Sequence, residues 1–183
     1  MGVVFEAEDD EGNTTTDPPY LDPTDNDTDL VLQWCDRMIR VRNPFTERMA
    51  LFWHGHFAAS NARVKSGQLM ADHMRLLRAH ALGKYRSLLE GASRDPAMFL
   101  GTDSVANRKS VPNENFARQL MERLTLGPGH FDEEDVHEAA RAFTGWFVMR
   151  NQLRFVEREH DEGTKNILGQ AGKWKVEDVV QIV

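Results

Sequence analysis

Two amphipathic helical patterns joined by a Gly-Pro-Gly turn occupy residues 112–147. In the first pattern, apolar residues recur at the spacing that places them on one face of a helix with 3.6 residues per turn. These residues are Phe116, Ala117, Leu120, Met121 and Leu124. Gly127 suits the left-handed position that ends a helix, and Pro128 lacks the N–H that a continuing helix needs. We therefore expect the first helix to end near Gly127.

The second pattern begins at Asp132, and three more acidic residues follow it directly. The Asp132 carboxylate is suited to accept hydrogen bonds from the free N–H groups of the first turn, and acidic residues favour the positive end of the helix dipole. The predicted buried face consists of Val136, Ala139, Ala140 and Phe143. Because Ala139 and Ala140 are small and the turn is short, we expect the two helices to pack as an antiparallel pair.

Four motifs stand out in this region and upstream of it: residues 113–118 (NENFAR), 124–127 (LTLG), 142–146 (AFTGW) and 52–57 (FWHGHF). Together they resemble the bacterial domain-of-unknown-function 1800 (DUF1800) family. The resemblance extends over residues 30–183, and Gln119 stands where the family pattern has Glu. It implies a helical fold without implying a particular reaction. Family members are usually longer and often exported, so the resemblance also implies that the domain over residues 30–183 is incomplete at its C-terminal end.

The charge is divided unevenly along the chain, whose net charge is −7. Residues 1–29 hold ten acidic residues and no Lys or Arg, whereas the remainder has 19 acidic against 22 basic residues, a balance of +3. Residues 1–29 also combine Pro and Thr with little apolar content, a composition typical of a disordered arm. The nearly balanced remainder has no basic stripe for neutralising phosphates, so the sequence argues against nucleic-acid binding.

The apolar content does not indicate a membrane span or a signal peptide. No run of eighteen apolar residues occurs, and no basic segment followed by an apolar stretch opens the chain. As it stands the sequence therefore predicts a cytoplasmic chain, although the family resemblance implies export for many members and leaves the compartment open. Cys35 is the only cysteine, which excludes an internal disulfide; we interpret it as a small buried hydrophobic residue rather than a reactive thiol.

Further helices are predicted before the central pair. Helical spacing begins near Leu30, and Asn43-Pro44 and Asp95-Pro96 each combine a capping residue with a proline suited to the first helical turn. In the helix after Pro44, the predicted core face is Phe45, Met49, Phe52, Trp53 and His56. A third helix carries Leu69, Met70, His73, Leu76, Leu77 and His80 on one face, and a fourth carries Tyr85, Leu88, Leu89 and Ala92.

After Trp146 the pattern changes. Two short runs rich in β-branched and aromatic residues flank Arg150, Asn151 and Gln152, which predicts a small β-hairpin. Residues 176–183 then resemble the opening of one more helix. The sequence thus predicts a mainly α-helical fold, a multi-helix orthogonal or antiparallel bundle with one β-hairpin near its C-terminal end.

His54 and His56 form the His-x-His motif of residues 52–57. Residues two apart lie about 200° around a helix, so while helical they cannot bind one metal ion together, and His56 is the one predicted to face the core. The alternative is a metal or acid–base pair where the helix end frays. Otherwise the motif is one hydrogen-bonded core histidine beside one surface histidine.

One chemical hypothesis combines distant residues. His54 or His56, Glu114, and the pair His160 and Asp161 would converge as a mixed nitrogen and oxygen site suited to zinc or another divalent metal used for hydrolysis. Glu114, Arg118 and His56 are the catalytic candidates of this hypothesis. Against it, Glu114 is placed to pair with Arg118 one turn later, and His160 and Asp161 fit a solvated loop.

The sequence thus leaves two functions open. The favoured one is a helical scaffold or interaction module that binds a protein partner or a second copy of itself. The alternative is the metal-dependent hydrolase.

Overall fold

The computed structural model describes residues 27–183 together with Ala7–Glu8, Thr14–Thr15 and Leu21. Most of the predicted acidic arm, residues 1–29, therefore lies outside the described residues. Within it, strand β1 (Ala7–Glu8) pairs antiparallel with strand β2 (Thr14–Thr15), and Leu21 is buried. The first helix begins at Asp27, three residues before the predicted Leu30.

The described part of the chain is mainly α-helical, as the sequence predicts. The helices are α1 (Asp27–Arg40), α2 (Pro44–Phe57), α3 (Asn61–Val64), α4 (Gly67–His80), α5 (Tyr85–Ala92), α6 (Pro96–Gly101), α7 (Glu114–Gln119), α8 (Glu133–Ala142) and α9 (Val176–Ile182). The short helix α3 is not among the helices predicted from the sequence. Within the described ranges, no helix is both long enough and apolar enough to cross a membrane.

Helices α7 and α8 form the predicted antiparallel pair. A π-helical turn, Leu120–Leu124, continues α7, and the N–H groups of Leu126 and Gly127 both donate to the carbonyl of Met121. Gly127 has the expected left-handed conformation, with φ +81°. Asp132 caps α8 through a reciprocal pair of hydrogen bonds with Asp135. Both predicted buried faces are confirmed, because every residue in them is at most 4% exposed.

Aromatic stacking joins this helix pair to the preceding helix. The Phe116 ring lies 4.8 Å from the ring of Phe99 on α6 and 5.0 Å from the ring of Phe143 after α8. The last helix, α9, buries its side chains in the same core through Val176, Val179 and Val180. The α7–α8 pair therefore packs in one core with α6, which precedes it, and α9, which follows it.

Two β-hairpins follow α8. Strands β3 (Trp146–Met149) and β4 (Gln152–Phe155) form the predicted hairpin, with Arg150 and Asn151 both at positive φ in its turn. Strands β5 (Lys165–Ile167) and β6 (Gln170–Gly172) form a second hairpin, which the sequence analysis does not anticipate. Its turn places Leu168 at φ +51° and Gly169 at φ +76°.

The orientation of α2 differs from the prediction. Phe45 and Phe52, expected in the core, are 57% and 58% exposed, whereas Glu47 and Phe57 are fully buried. The carboxylate of Glu47 accepts hydrogen bonds from Arg37 Nε of α1 at 2.9 Å and Arg78 Nε of α4 at 2.6 Å. A buried carboxylate is tolerated only with such partners, and this requirement turns the face that contains Glu47 inward.

The orientation of α2 predicts opposite outcomes at two positions. Glu47→Ala leaves Arg37 buried without its carboxylate and is expected to destabilise the fold by about 3 kcal/mol or more. Phe52→Ala removes an exposed ring and is expected to cost less than about 1 kcal/mol. Urea unfolding of the two variants measures both values. If α2 faced the core as its apolar pattern suggests, the order of the two would be reversed.

Candidate functional site

The loop after β4 is fastened to the C-terminal end of α8. The Thr144 hydroxyl donates to the carbonyl of Arg141 at 2.7 Å and accepts from the backbone N–H of Asp161 at 2.8 Å. His160, expected either to bind a metal or to lie in a solvated loop, is only 6% exposed, and its Nδ1 donates to the carbonyl of Thr144 at 2.8 Å. Gly145, which follows Thr144, has φ +89°, and a Cβ there would lie 2.8 Å from the Phe155 ring, so a side chain does not fit at this position. The motif of residues 142–146 thus anchors this loop.

Asp161 is paired with Arg141. The guanidinium donates from Nε to Asp161 Oδ2 at 2.7 Å and from Nη2 to Oδ1 at 3.2 Å, and it also holds Glu138. The Arg141 hydrogen bonds lower the pKa of Asp161 to about 2, with a further contribution from the N–H of Gly163. A carboxylate of such low pKa is a weak base at neutral pH. Asp161 and His160 line an open polar cleft of about 640 Å³ together with Lys109, Glu157, Arg158 and Glu162.

Glu114 and Arg118 lie together on the surface between α7 and α8. Arg118 donates to both carboxylate oxygens of Glu133, at 2.8 and 2.5 Å, and its contact with Glu114 is longer, at 3.5 Å. Glu114 instead contacts His137 Nδ1 at 3.0 Å. The predicted pair within α7 is therefore secondary to ion pairs between the two helices. Asn113 caps α7 by accepting from the N–H of Asn115.

His54 and His56 are placed in the reverse of the predicted arrangement. His54 is the more enclosed of the two, with its ring 5.5 Å from Trp34 and its Nδ1 buried without a hydrogen-bond partner. Burial, with repulsion from His73, lowers the pKa of His54 to about 4. His56 lies on the other side of α2, where its Nε2 donates at 3.2 Å to the Tyr85 hydroxyl, which itself donates to the carbonyl of Leu124. Burial also lowers the pKa of His56.

A second histidine lies beneath His54. His73 of α4 is fully buried, and its ring centre is 6.1 Å from that of His54. His73 Nδ1 donates to Asp95 Oδ2, and Asp95 Oδ1 accepts from the N–H of Ala97, which caps α6. His73 Nε2 is buried and has no hydrogen-bond partner. His54, Trp34, Met70 and Met74 also line an apolar cavity of about 480 Å³.

From the sequence, His73 is predicted to be an interior histidine and Asp95 only a helix cap. The three residues His54, His73 and Asp95 are 19 and 22 positions apart, so no local spacing connects them. The one available signal is that His73 shares a helical face with Leu69, Met70 and Leu77, which predicts its burial. A buried imidazole needs a hydrogen-bond partner, but the sequence does not identify it.

Comparison with known families agrees with this arrangement of motifs. A family model described as "Protein of unknown function (DUF1800)" matches residues 13–183. The chain belongs to the DUF1800 family. It has no significant match among curated proteins or among solved structures. For this member of the family, function is therefore argued from the geometry of its own residues.

The DUF1800 motifs do not assemble the metal site considered from the sequence. In the part of the chain that the structure describes, no group of three or more His, Cys, Asp or Glu side chains is placed to hold a metal ion. His160 and Asp161 share one cleft, and Glu114 and Arg118 share another surface. His54 and His56 contact different neighbours on opposite sides of α2. The mixed site of His54 or His56, Glu114, His160 and Asp161 is thus not formed in this arrangement.

The Arg141–Asp161 pair predicts a pH dependence of stability. Because the pKa of Asp161 falls from 3.8 to about 2 on folding, the unfolded state binds more protons between these pH values. The stabilisation is therefore fully present above about pH 4 and is lost as the pH falls through about 2. In Arg141→Gln, we expect the Asp161 pKa, measured by carboxyl NMR titration, to rise towards 3.8. Arg158→Gln, which changes an exposed arginine of the same cleft, should leave it low; equal values in both variants would contradict the assignment.

Proposed function

We propose that this chain is a helical interaction module that associates with a second copy of itself through exposed apolar side chains on α1 and α2. The observation that carries the proposal is the clustering of exposed large apolar residues in these two helices. Of the eleven such residues in the described part of the chain, six lie there. We call them the α1–α2 apolar surface: Val31, Leu32, Ile39, Phe45, Leu51 and Phe52.

On each helix these residues recur at one-face spacing. Leu32 and Ile39 are seven residues apart on α1, as are Phe45 and Phe52 on α2. Ile39 is 82% exposed and lies two positions from the buried residues Arg37 and Val41, hence about 200° around the helix from each. Burying one such side chain fully is worth about 1.5–3 kcal/mol. Association with a partner that covers this surface is therefore favoured by the burial of these side chains, which stay exposed in the monomer.

The charges beside the surface favour a second copy as the partner. Asp36 and Arg40 are both largely exposed on α1 and pair with each other at one-turn spacing. A surface that carries both signs of charge is self-complementary across a two-fold axis, because Asp36 of one copy can approach Arg40 of the other. Cys35 is exposed between Leu32 and Ile39 and so lies within the same stripe of α1. This location corrects the prediction that Cys35 is buried.

The association predicts a dimer that one substitution breaks. Ile39→Asp introduces a charge into the interface and is expected to weaken dimerisation by about 2 kcal/mol or more, or about 30-fold. Sedimentation velocity over a range of concentrations measures this change. Val111→Asp, at another exposed apolar position, is the matched control and should leave the dimer intact.

Cys35 gives an independent readout of the same contact. A short bis-maleimide should cross-link two wild-type chains, and Ile39→Asp should reduce the cross-linked product. A wild-type chain that remains monomeric at every concentration, with no cross-linked product, would reject self-association through this surface.

A further inference from the structure

The two unpartnered imidazole nitrogens near the apolar cavity need an explanation. His73 Nε2 and His54 Nδ1 are both buried, and neither makes a hydrogen bond within the described residues. An unpaired buried polar atom destabilises a folded protein. Here two of them belong to rings in contact, on helices that pack together. A bound ion is one explanation for such unsatisfied atoms.

The surroundings of His73 match those of a metal ligand. The Asp95 carboxylate accepts from Nδ1, which fixes the tautomer and leaves the Nε2 lone pair available. Asp95 is itself held in place, because its other oxygen caps α6. A carboxylate behind a histidine in this way orients the ring and increases its basicity towards a metal.

The separation of the rings also fits a shared ion. With metal–nitrogen bonds of about 2.0 Å, two imidazoles on one ion have ring centres about 5 Å apart at a tetrahedral angle and about 6 Å apart at a wide angle. The observed separation of 6.1 Å corresponds to the wide angle. Wide angles suit an ion that accepts two or three ligands, whereas structural zinc sites are almost always tetrahedral with four ligands.

Sulfur donors lie on the same helix. Met70 and Met74 flank His73 on α4, three residues before it and one after, and both line the cavity that contains His54. Thioether ligands select Cu(I) among the common metal ions. The described residues offer no third His, Cys, Asp or Glu ligand that would suit a harder ion.

We infer that this chain binds one Cu(I) ion through His54 Nδ1 and His73 Nε2, with the thioether of Met70 or Met74 as its third ligand. Asp95 is a positioning residue that acts through His73. None of these ligand residues belongs to the α1–α2 apolar surface, although Val31 of that surface lines the same cavity, so the copper titration tests the site whether or not the chain dimerises.

The test is an anaerobic titration of the full chain with Cu(I) against a colorimetric Cu(I) chelator. Cys35→Ser serves as the background, because the exposed thiol would itself bind copper. We expect one Cu(I) per chain, with nitrogen and sulfur scatterers in the copper X-ray absorption spectrum. His54→Gln should weaken binding by more than about 100-fold. His130→Gln, the same substitution at an exposed histidine, should change it by no more than about 2–3-fold.

Two further variants test separately the contribution of Asp95 and that of the methionine thioethers. Asp95→Asn retains a residue that caps helices well and should lower the Cu(I) affinity about 10–100-fold. The double variant Met70→Leu/Met74→Leu conserves side-chain volume, so it should fold and should lose the sulfur scatterers. It also keeps the test decisive if His54→Gln does not fold.

Three results would overturn the inference. They are no Cu(I) retained by the Cys35→Ser chain in competition with the chelator, equal affinity of the His54→Gln and His130→Gln variants, and displacement of the bound Cu(I) by Zn²⁺.

Discussion

The burial of Glu47 between two arginines determines how α2 is oriented, and much of the N-terminal half of the structure depends on that orientation. Glu47 is fully buried and accepts from Arg37 of α1 and Arg78 of α4. A charge in this position is strongly destabilising if either partner is removed, so α1, α2 and α4 are held in one mutual arrangement. Apolar contacts alone would not fix the rotation of α2 about its own axis, because α2 carries apolar side chains around most of its circumference.

The orientation has two consequences for function. Ala50, His54 and Phe57 follow Glu47 at three, seven and ten residues, so they share its face and turn inward. His54 is thereby directed towards Trp34 and His73. Phe45 and Phe52, on the other side, are left exposed. The inward histidine and the outward apolar surface therefore both follow from the position of one carboxylate, although they support separate proposals.

Sequence reasoning succeeded where structure is determined by neighbouring residues. The caps at Asn43, Asp95 and Asp132 and the chain reversal at Gly127 depend only on residues within a few positions. It failed on the face of α2, because Glu47 finds its partners 10 and 31 residues away. The second β-hairpin was also not predicted. Its turn places Leu168 at positive φ, a conformation that leucine rarely adopts and that the sequence does not signal.

The candidate site residues likewise depend on partners that lie far away in the sequence. Four of the site candidates chosen from the sequence have partners in the structure: Glu114, Arg118, His160 and Asp161. Glu114 and Arg118 pair across α7 and α8, and His160 and Asp161 fasten a loop to α8. Their hydrogen-bonding capacity is engaged in holding the fold.

Unused capacity lies elsewhere, at His54 and His73, one inside a motif and one outside it. The pairing of His73 with Asp95 crosses 22 residues, and its contact with His54 crosses 19, so only the packing of α2, α4 and α6 brings the three together. A buried nitrogen without a partner is costly in a folded protein unless something binds it. In this chain the buried, unpartnered nitrogens of His54 and His73 support the proposed ligand site, whereas the polar groups of Glu114, Arg118, His160 and Asp161 are already hydrogen-bonded.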